Sequence, residues 1–305
     1  MKPLHIETPL LESRAISIQT GQSIWLKMDA LQPPGSFKIR GIGYACQEYA
    51  RRGAKRFISS SGGNAGIAVA YAGRHLAVPV IVVVPETTTQ RARHLIRQEG
   101  AELIVHGASW QEANALAQSM VTAQDAFLHP FDDPLLWQGH ATLIDEIART
   151  DLKPEVIVLS VGGGGLLCGV IEGLRRNHWQ DIPVIAVETE GADSLAQSVR
   201  AGVRVELPAI KSLATSLGAR QVCERAFDLT KQHRIDSVVV SDQAAVSACE
   251  QFIVDHRIVV EPACGAALAV AYQGIKQIKP FKSALIIVCG GVTASLEQLH
   301  QWSNK

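Results

Sequence analysis

Val156-Ile157-Val158-Leu159-Ser160-Val161-Gly162-Gly163-Gly164-Gly165-Leu166-Leu167 is the stretch on which the fold turns. Its first residues are almost wholly apolar, the pattern of a strand buried on both faces, as in a parallel sheet covered by helices. From Leu166 onward the pattern is helical. Between the two stand four successive glycines, costly in chain entropy. Close approach of backbone N–H groups to an anion, typically a phosphate, accounts for that cost, because a helix N-terminus presents unpaired amides. The alternative is a merely tight turn. The run is not a GxGxxG dinucleotide fingerprint, since Leu167 occupies the third glycine's place, nor is it a GxxxxGK[ST] P-loop.

The same rhythm of apolar strand, small-residue turn and amphipathic helix extends in both directions. Upstream, 56–59 reads as a strand and 64–75 as the helix after it; 78–84 is a second strand, followed by a helix over 88–99; 103–105 leads to a helix over 110–121. An irregular stretch follows around 129–134. Downstream, 183–187 and 284–288 read as strands, the latter closed by Cys289-Gly290-Gly291 and a last helix through Leu299. This alternation predicts βαβ units and an α/β fold with parallel sheets. We expect two lobes: a smaller one, 39–134, inserted into a larger one made of 1–38 and 135–305. Ligands are expected beyond the carboxyl ends of the strands, where loops enter helices.

Bulk composition sets limits on function. The 305 residues are 47% hydrophobic and 19% charged, enough for a large buried core. Lys plus Arg equals Asp plus Glu, 29 each, so no basic surface for nucleic acid is indicated. The six cysteines form no CxxC pair and sit in segments that read as core, which fits reduced thiols in a cytosolic protein. The first residues lack a secretory signal pattern. The most apolar run, 76–85, is half of the ~20 residues needed to cross a bilayer. A soluble, cytoplasmic protein without a membrane partner is expected.

Three further segments carry chemistry. In Pro33-Pro34-Gly35-Ser36-Phe37-Lys38-Ile39-Arg40-Gly41, two prolines and a glycine stiffen the approach, and Ser36 is expected to cap a helix whose first turn holds Lys38. A lysine forms a Schiff base with an aldehyde once its amine is neutral, which burial and positive potential favour; taken alone, such a lysine is far more often a solvated charge at a helix start. Ser59-Ser60-Ser61-Gly62-Gly63-Asn64-Ala65-Gly66 offers hydroxyls, bare amides and a helix N-terminus to a carboxylate, or is an ordinary cap. Asn64 adds a side-chain donor suited to a phenolic oxygen. Cys289 either meets a heteroaromatic nitrogen or is a small buried hydrophobe. One cradle for a phosphate, one for a carboxylate and a lysine between them suit an aldehyde cofactor bearing a phosphate and acting on an amino acid.

These motifs resemble the fold-type II pyridoxal-5′-phosphate (PLP) enzymes, in particular the L-serine/L-threonine dehydratase (ammonia-lyase) group that includes the liver serine dehydratases. The likeness runs through P-P-G-S-F-K-I-R-G, S-S-G-G-N-A-G and S-V-G-G-G-G-L-L-C-G, and continues over 129–142, 187–194 and 260–267. It implies the two-lobed, tryptophan synthase β-like fold with the cofactor in the cleft. By position, Lys38 would carry the cofactor and Phe37 would pack against it. Asn64 would bond its phenolic oxygen, Gly162, Gly163, Gly164, Gly165 and Leu166 would hold its phosphate, and Cys289 would face its ring nitrogen. Ser61, Gly62, Asn64 and Ala65 would receive the substrate carboxylate. The resemblance also implies a monovalent cation, potassium, held by Glu188 and Ser194 side chains and by carbonyls of Gly162, Ala192, Leu217 and Ala219. The bland reading of Glu188 is a salt-bridged surface carboxylate. A homodimer is implied as well.

The implied reaction is β-elimination. Lys38 removes the Cα proton, the β-hydroxyl leaves as water, and hydrolysis yields pyruvate or 2-oxobutanoate with ammonia. A thiol opposite the ring nitrogen, rather than a carboxylate, favours elimination over transamination. Many members carry Ala where this chain has Gly62, so a slightly roomier pocket and a more mobile loop are expected. A serine racemase or a β-replacement enzyme of the cysteine or cystathionine synthase type would keep the lysine and the phosphate loop. A non-catalytic amino-acid sensor would have no need of Lys38. A Rossmann nucleotide binder is disfavoured by the missing fingerprint, and a zinc hydrolase by the absence of HExxH.

Overall fold

Apolar side chains on both faces make the central strands, and the intervening helices cover those faces. A computed structural model describes residues 1–304. In chain order the strands are β1 (Leu10–Glu12), β2 (Ser23–Lys27), β3 (Arg56–Ser59), β4 (Val80–Val84), β5 (Glu102–Val105), β6 (Asp125–Phe127), β7 (Val156–Ser160), β8 (Val184–Thr189), β9 (Ile235–Val240) and β10 (Ser283–Ile287). The helices are α1 (Arg14–Thr20), α2 (Lys38–Arg51), α3 (Asn64–Leu76), α4 (Gln90–Gln98), α5 (Trp110–Ser119), α6 (Pro134–Ala148), α7 (Gly165–Arg176), α8 (Ser194–Ala201), α9 (Glu224–Gln232), α10 (Asp242–His256), α11 (Pro262–Tyr272) and α12 (Leu296–Ser303).

Six strands form one sheet in the order β1-β2-β10-β7-β8-β9, and four form another, β5-β4-β3-β6. Every pairing is parallel except β1 with β2. The α/β class with helix-covered parallel sheets is therefore as expected. β7 lies between β10 and β8 with all five residues buried, so the loops leaving these strands emerge side by side.

The burial of β4 shows why its sequence is one unbroken apolar run. Val80, Val82 and Val84 face one cluster with Ile67, Ala68 and Ile39 from α3 and α2, whereas Ile81 and Val83 face another with Ala113 and Ala117 of α5. Alternate side chains point to opposite faces, and helices cover both.

Several boundaries differ from the sequence expectation for local reasons. β4 starts at Val80, two residues late, because the Val78 N–H is drawn back to the Gly73 carbonyl at the end of α3. α4 starts at Gln90 because Thr89 accepts the Ala92 N–H and so caps it. α5 ends at Ser119, two residues short of the expected end, and the last helix continues past Leu299 to Ser303.

A buried charge cluster ties α2 to the larger sheet. The Arg40 guanidinium is fully buried and forks onto Asp29, with Nε–Oδ2 2.6 Å and Nη2–Oδ1 2.8 Å. Its other edge meets both Glu146 oxygens on α6, at 2.5 and 2.8 Å. Lys27 of β2 bonds Glu146 at 2.6 Å and the Thr8 carbonyl at 2.6 Å. Charge matches charge with bidentate geometry, the condition under which buried ions are tolerated. The cluster holds α2 two residues beyond Lys38.

Candidate active site

The glycine run connects β7 to α7. Gly164 has φ of +94°, a left-handed conformation that favours glycine, and serves as the helix N-cap. A Cβ on Gly163 would fall 2.2 Å from the Phe131 ring, and one on Gly165 would fall 2.7 Å from the Phe131 carbonyl. A Cβ on Gly164 would fall 2.4 Å from Ala226. Close packing therefore demands these glycines, and it leaves the first-turn amides of α7, which have no intrahelical partners, beside a cavity.

That cavity is lined by Phe37, Lys38, Asn64, Gly162, Gly163, Gly164, Gly165, Leu166 and Cys289, residues that lie far apart in the chain. All nine residues expected to meet the cofactor thus share one cavity. Lys38 opens α2, with Nζ donating to the Pro130 carbonyl at 2.6 Å and lying 5.2 Å from the Phe37 ring centre. Burial lowers its pKa to about 8, against the opposing pull of the Glu261 carboxylate. Cys289 is held as a neutral thiol well above its ordinary range, first by a hydrogen bond with Cys264 and then by burial.

Ser36 does not cap α2. The residue before the helix is Phe37, in helical conformation and without a side-chain cap, and the Ser36 hydroxyl is buried without a partner. The backbone there is already committed: Ser36 bridges Gly290, the Phe37 N–H bonds the Cys289 carbonyl, and the Gly291 N–H bonds the Gly35 carbonyl. The stiff P-P-G-S approach is thus an added strand-like contact with the C-terminal loop.

Asn64 begins α3, where first-turn amides lack intrahelical partners. Ser61, Gly62 and Ala65 belong to the same turn but do not line the cavity as Asn64 does. The expected extra room at Gly62 is not there. A Cβ at Gly62 would lie 2.6 Å from Thr88 Oγ1 and 2.8 Å from Thr88 Cγ2, so the threonine already fills that side.

Among the residues expected to hold a cation, Leu217 lines the cavity and its Cα lies 3.0 Å from where a Gly162 Cβ would stand. The Leu217 carbonyl accepts the Ala219 N–H at 2.8 Å, and Ala192 bridges Thr189 at the end of β8. Ser194 begins α8 and is buried. Glu188 is fully buried and makes no salt bridge among the described residues, the nearby Arg200 pairing with Asp193 instead, which corrects the surface salt-bridge alternative. Its oxygens accept the Leu195 and Ala196 N–H groups at 2.8 and 2.7 Å. Burial nevertheless raises its pKa to about 8.

Sequence reasoning missed Glu261, Ser216 and Phe131, which line the same cavity. Glu261 is 6% exposed, and burial raises its pKa against hydrogen bonds from Ser216, Thr293 and Asn64. A Glu followed by Pro reads only as a helix start; nothing local says that its carboxylate points inward. All six cysteines are free and buried, and no helix among the described residues is long and apolar enough to cross a membrane.

The family described as pyridoxal-phosphate dependent enzyme matches residues 1–290. The chain is 48% identical to the human L-serine dehydratase/L-threonine deaminase, over 98% of this chain and 94% of that one. Its structure is similar to a fungal L-serine ammonia-lyase from Rhizomucor miehei, with TM-score 0.95 and 37% identity over 100% of this chain and 99% of that one. A maize serine racemase superposes with TM-score 0.87 at 26% identity, over 98% of this chain and 92% of that one.

Proposed function

The chain belongs to the pyridoxal-phosphate dependent enzymes, and from that premise we propose that it is a dehydratase of L-serine or L-threonine, releasing water and then ammonia to give pyruvate or 2-oxobutanoate. One observation carries the reading: the Lys38 amine and the amide-lined start of α7 open into one cavity, together with Asn64 and Cys289. The racemase likeness is lower in identity, 26% against 48% and 37%, and dehydration is the better-supported activity.

The residues present fit a phosphate-bearing aldehyde. A side chain on Gly163 or Gly164 would collide with Phe131 or Ala226, so the loop stays bare and its amides remain open to an anion. Phe37 supplies an apolar wall, Cys289 a neutral thiol and Asn64 an amide donor. When bound, pyridoxal phosphate supplies an aldehyde that combines with amines and a conjugated ring that accepts the electron pair of a Cα–H bond.

What remains falls to the chain's own side chains. Lys38 takes the Cα proton, and a pKa near 8 leaves a usable neutral fraction at physiological pH. The α3 turn, with Ser61, Gly62, Asn64 and Ala65, orients the substrate carboxylate through amides and hydroxyls. Cys289, kept neutral, does not stabilise positive charge opposite it, which favours prompt loss of the β-hydroxyl.

A potassium ion beside the phosphate loop is part of the proposal. Glu188 is a buried carboxylate without a cationic partner among the described residues, and hard oxygen donors suit such an ion. The homodimer implied by the family resemblance and the cytoplasmic location expected from the scattered thiols belong to it as well; six buried free thiols support a reducing compartment. The test is steady-state assay of pyruvate, 2-oxobutanoate and D-serine from L-serine and L-threonine, with and without potassium. Keto-acid release that vanishes in Lys38→Ala, together with the borohydride-reducible yellow adduct, is expected. D-serine as the main product would overturn the dehydratase reading.

A further inference from the structure

Glu261 is a buried carboxylate in the cavity to which the reaction described above gives no task. It immediately precedes α11, and the backbone of the C-terminal loop presses on it: a Cβ on Gly291 would fall 2.2 Å from its Cγ and Cδ. Two neutral donors converge on its two oxygens, with the Ser216 hydroxyl beside them. Asn64 Nδ2 donates to Oε1 at 2.8 Å and Thr293 Oγ1 to Oε2 at 3.0 Å. Such convergence marks an acceptor, and a carboxylate has lone pairs for both.

The other end of the Asn64 amide is also committed. Its Oδ1 accepts the Val292 N–H at 3.3 Å. Turning the amide over would set Oδ1 against the Glu261 carboxylate and the NH2 group against an N–H, two repulsive contacts in place of two hydrogen bonds. Glu261 thus holds one Nδ2 hydrogen. The second points toward Ser216 Oγ at a long 3.4 Å and is left for a better acceptor.

We propose that Glu261 is a positioning residue that makes Asn64 a hydrogen-bond donor toward the cofactor's phenolic oxygen. This rests on the reading of the cavity as a pyridoxal phosphate site. A donor at that oxygen stabilises its anionic form, in which the lysine adduct absorbs visible light; an acceptor there favours the neutral hydroxyl form, which absorbs in the near ultraviolet. With glutamine at 261 the side chain donates as readily as it accepts, and only the Val292 N–H, at a long 3.3 Å, still sets the sense of the Asn64 amide.

The experiment records absorption spectra of the purified holoenzyme, without substrate, for the wild type, Glu261→Gln, Asn64→Ala and the double variant, at one pH and with bound cofactor quantified after alkaline release. A several-fold fall in the ratio of visible to near-ultraviolet absorbance is expected in Glu261→Gln. The same fall is expected in Asn64→Ala, with no further change in the double variant, because the carboxylate acts through the amide. If Glu261→Gln does not fold, Glu261→Asp, one methylene shorter, is read in the same way. A yellow wild type whose Glu261 variant keeps the wild-type ratio, or whose two substitutions simply add, overturns the role of Glu261 and leaves the cofactor reading intact. A wild type that shows no visible band with pyridoxal phosphate overturns both.

Discussion

Thr88 stands where a side chain on Gly62 would have to go: a Cβ built there meets Thr88 Oγ1 at 2.6 Å. The loop expected to receive the substrate carboxylate is therefore shaped from the β4–α4 connection as well as by its own glycines. Its freedom is narrower than the two adjacent glycines suggest.

Gly62→Ala is expected to disturb this turn, raising KM for L-serine and lowering the unfolding midpoint. Thr88→Ala in the same chain should restore much of both, because it removes the two atoms in closest conflict. Contacting residues of this kind couple by about 0.5–3 kcal/mol. A double-mutant cycle by thermal unfolding and steady-state kinetics checks it; strict additivity would mean the two residues do not share that space.

Gly163→Ala tests the cradle. The new methyl would lie 2.2 Å from the Phe131 ring, which the Trp137 indole helps to hold through the Phe131 carbonyl at 3.0 Å. Overpacking of this sort costs about 1–3 kcal/mol. The expected result is a chain that still folds but binds pyridoxal phosphate about ten- to a hundredfold more weakly. Titration of the visible band measures this, and wild-type affinity would show that the loop does not hold the phosphate.

The pKa of Lys38 sets a pH dependence for loading the cofactor-free protein. Only the neutral amine attacks an aldehyde, so the rate of yellow adduct formation should rise about tenfold per pH unit at low pH and level off near pH 8. A rate still climbing toward pH 10 would point to an ordinary solvated lysine. The unfolded lysine keeps its proton up to about 10.5, so the unfolded state binds more protons across that window, and the cofactor-free fold should gain stability as pH rises from about 8.

Arg40→Met removes one member of a fully buried cluster and leaves Asp29 and Glu146 without their shared partner. A loss of about 3–5 kcal/mol in urea unfolding is expected. Arg40→Lys should recover only part of it, since an ammonium cannot reproduce two bidentate contacts. Equal stability of Arg40→Met and the wild type would show that the cluster does not anchor α2.

The strands that matter most to the site are readable because they are buried on both faces and carry continuous apolar runs, as in 80–84, 156–159 and 184–187. β1, β2, β6 and β9 are not legible in the sequence. They are mostly edge or near-edge strands with mixed burial, and β2 carries a buried Lys27 that breaks the apolar pattern. Ser36 is of a residue type that favours a helix cap, but a pairing with Gly290, distant in the chain, commits it elsewhere.

By itself the sequence determined the alternation of strands and helices, the bare loop at 162–165 and the lysine at 38, because these depend on local periodicity and on residues with distinctive chemistry. Tertiary structure alone decided that Glu261 turns inward to Asn64, that Thr88 fills the space beside Gly62, and that Arg40 is buried among Asp29 and Glu146. A carboxylate, a hydroxyl or a guanidinium is spelled the same way on the surface and in the interior. Only the partners brought close by folding determine what desolvation costs it and which hydrogen bonds it can make.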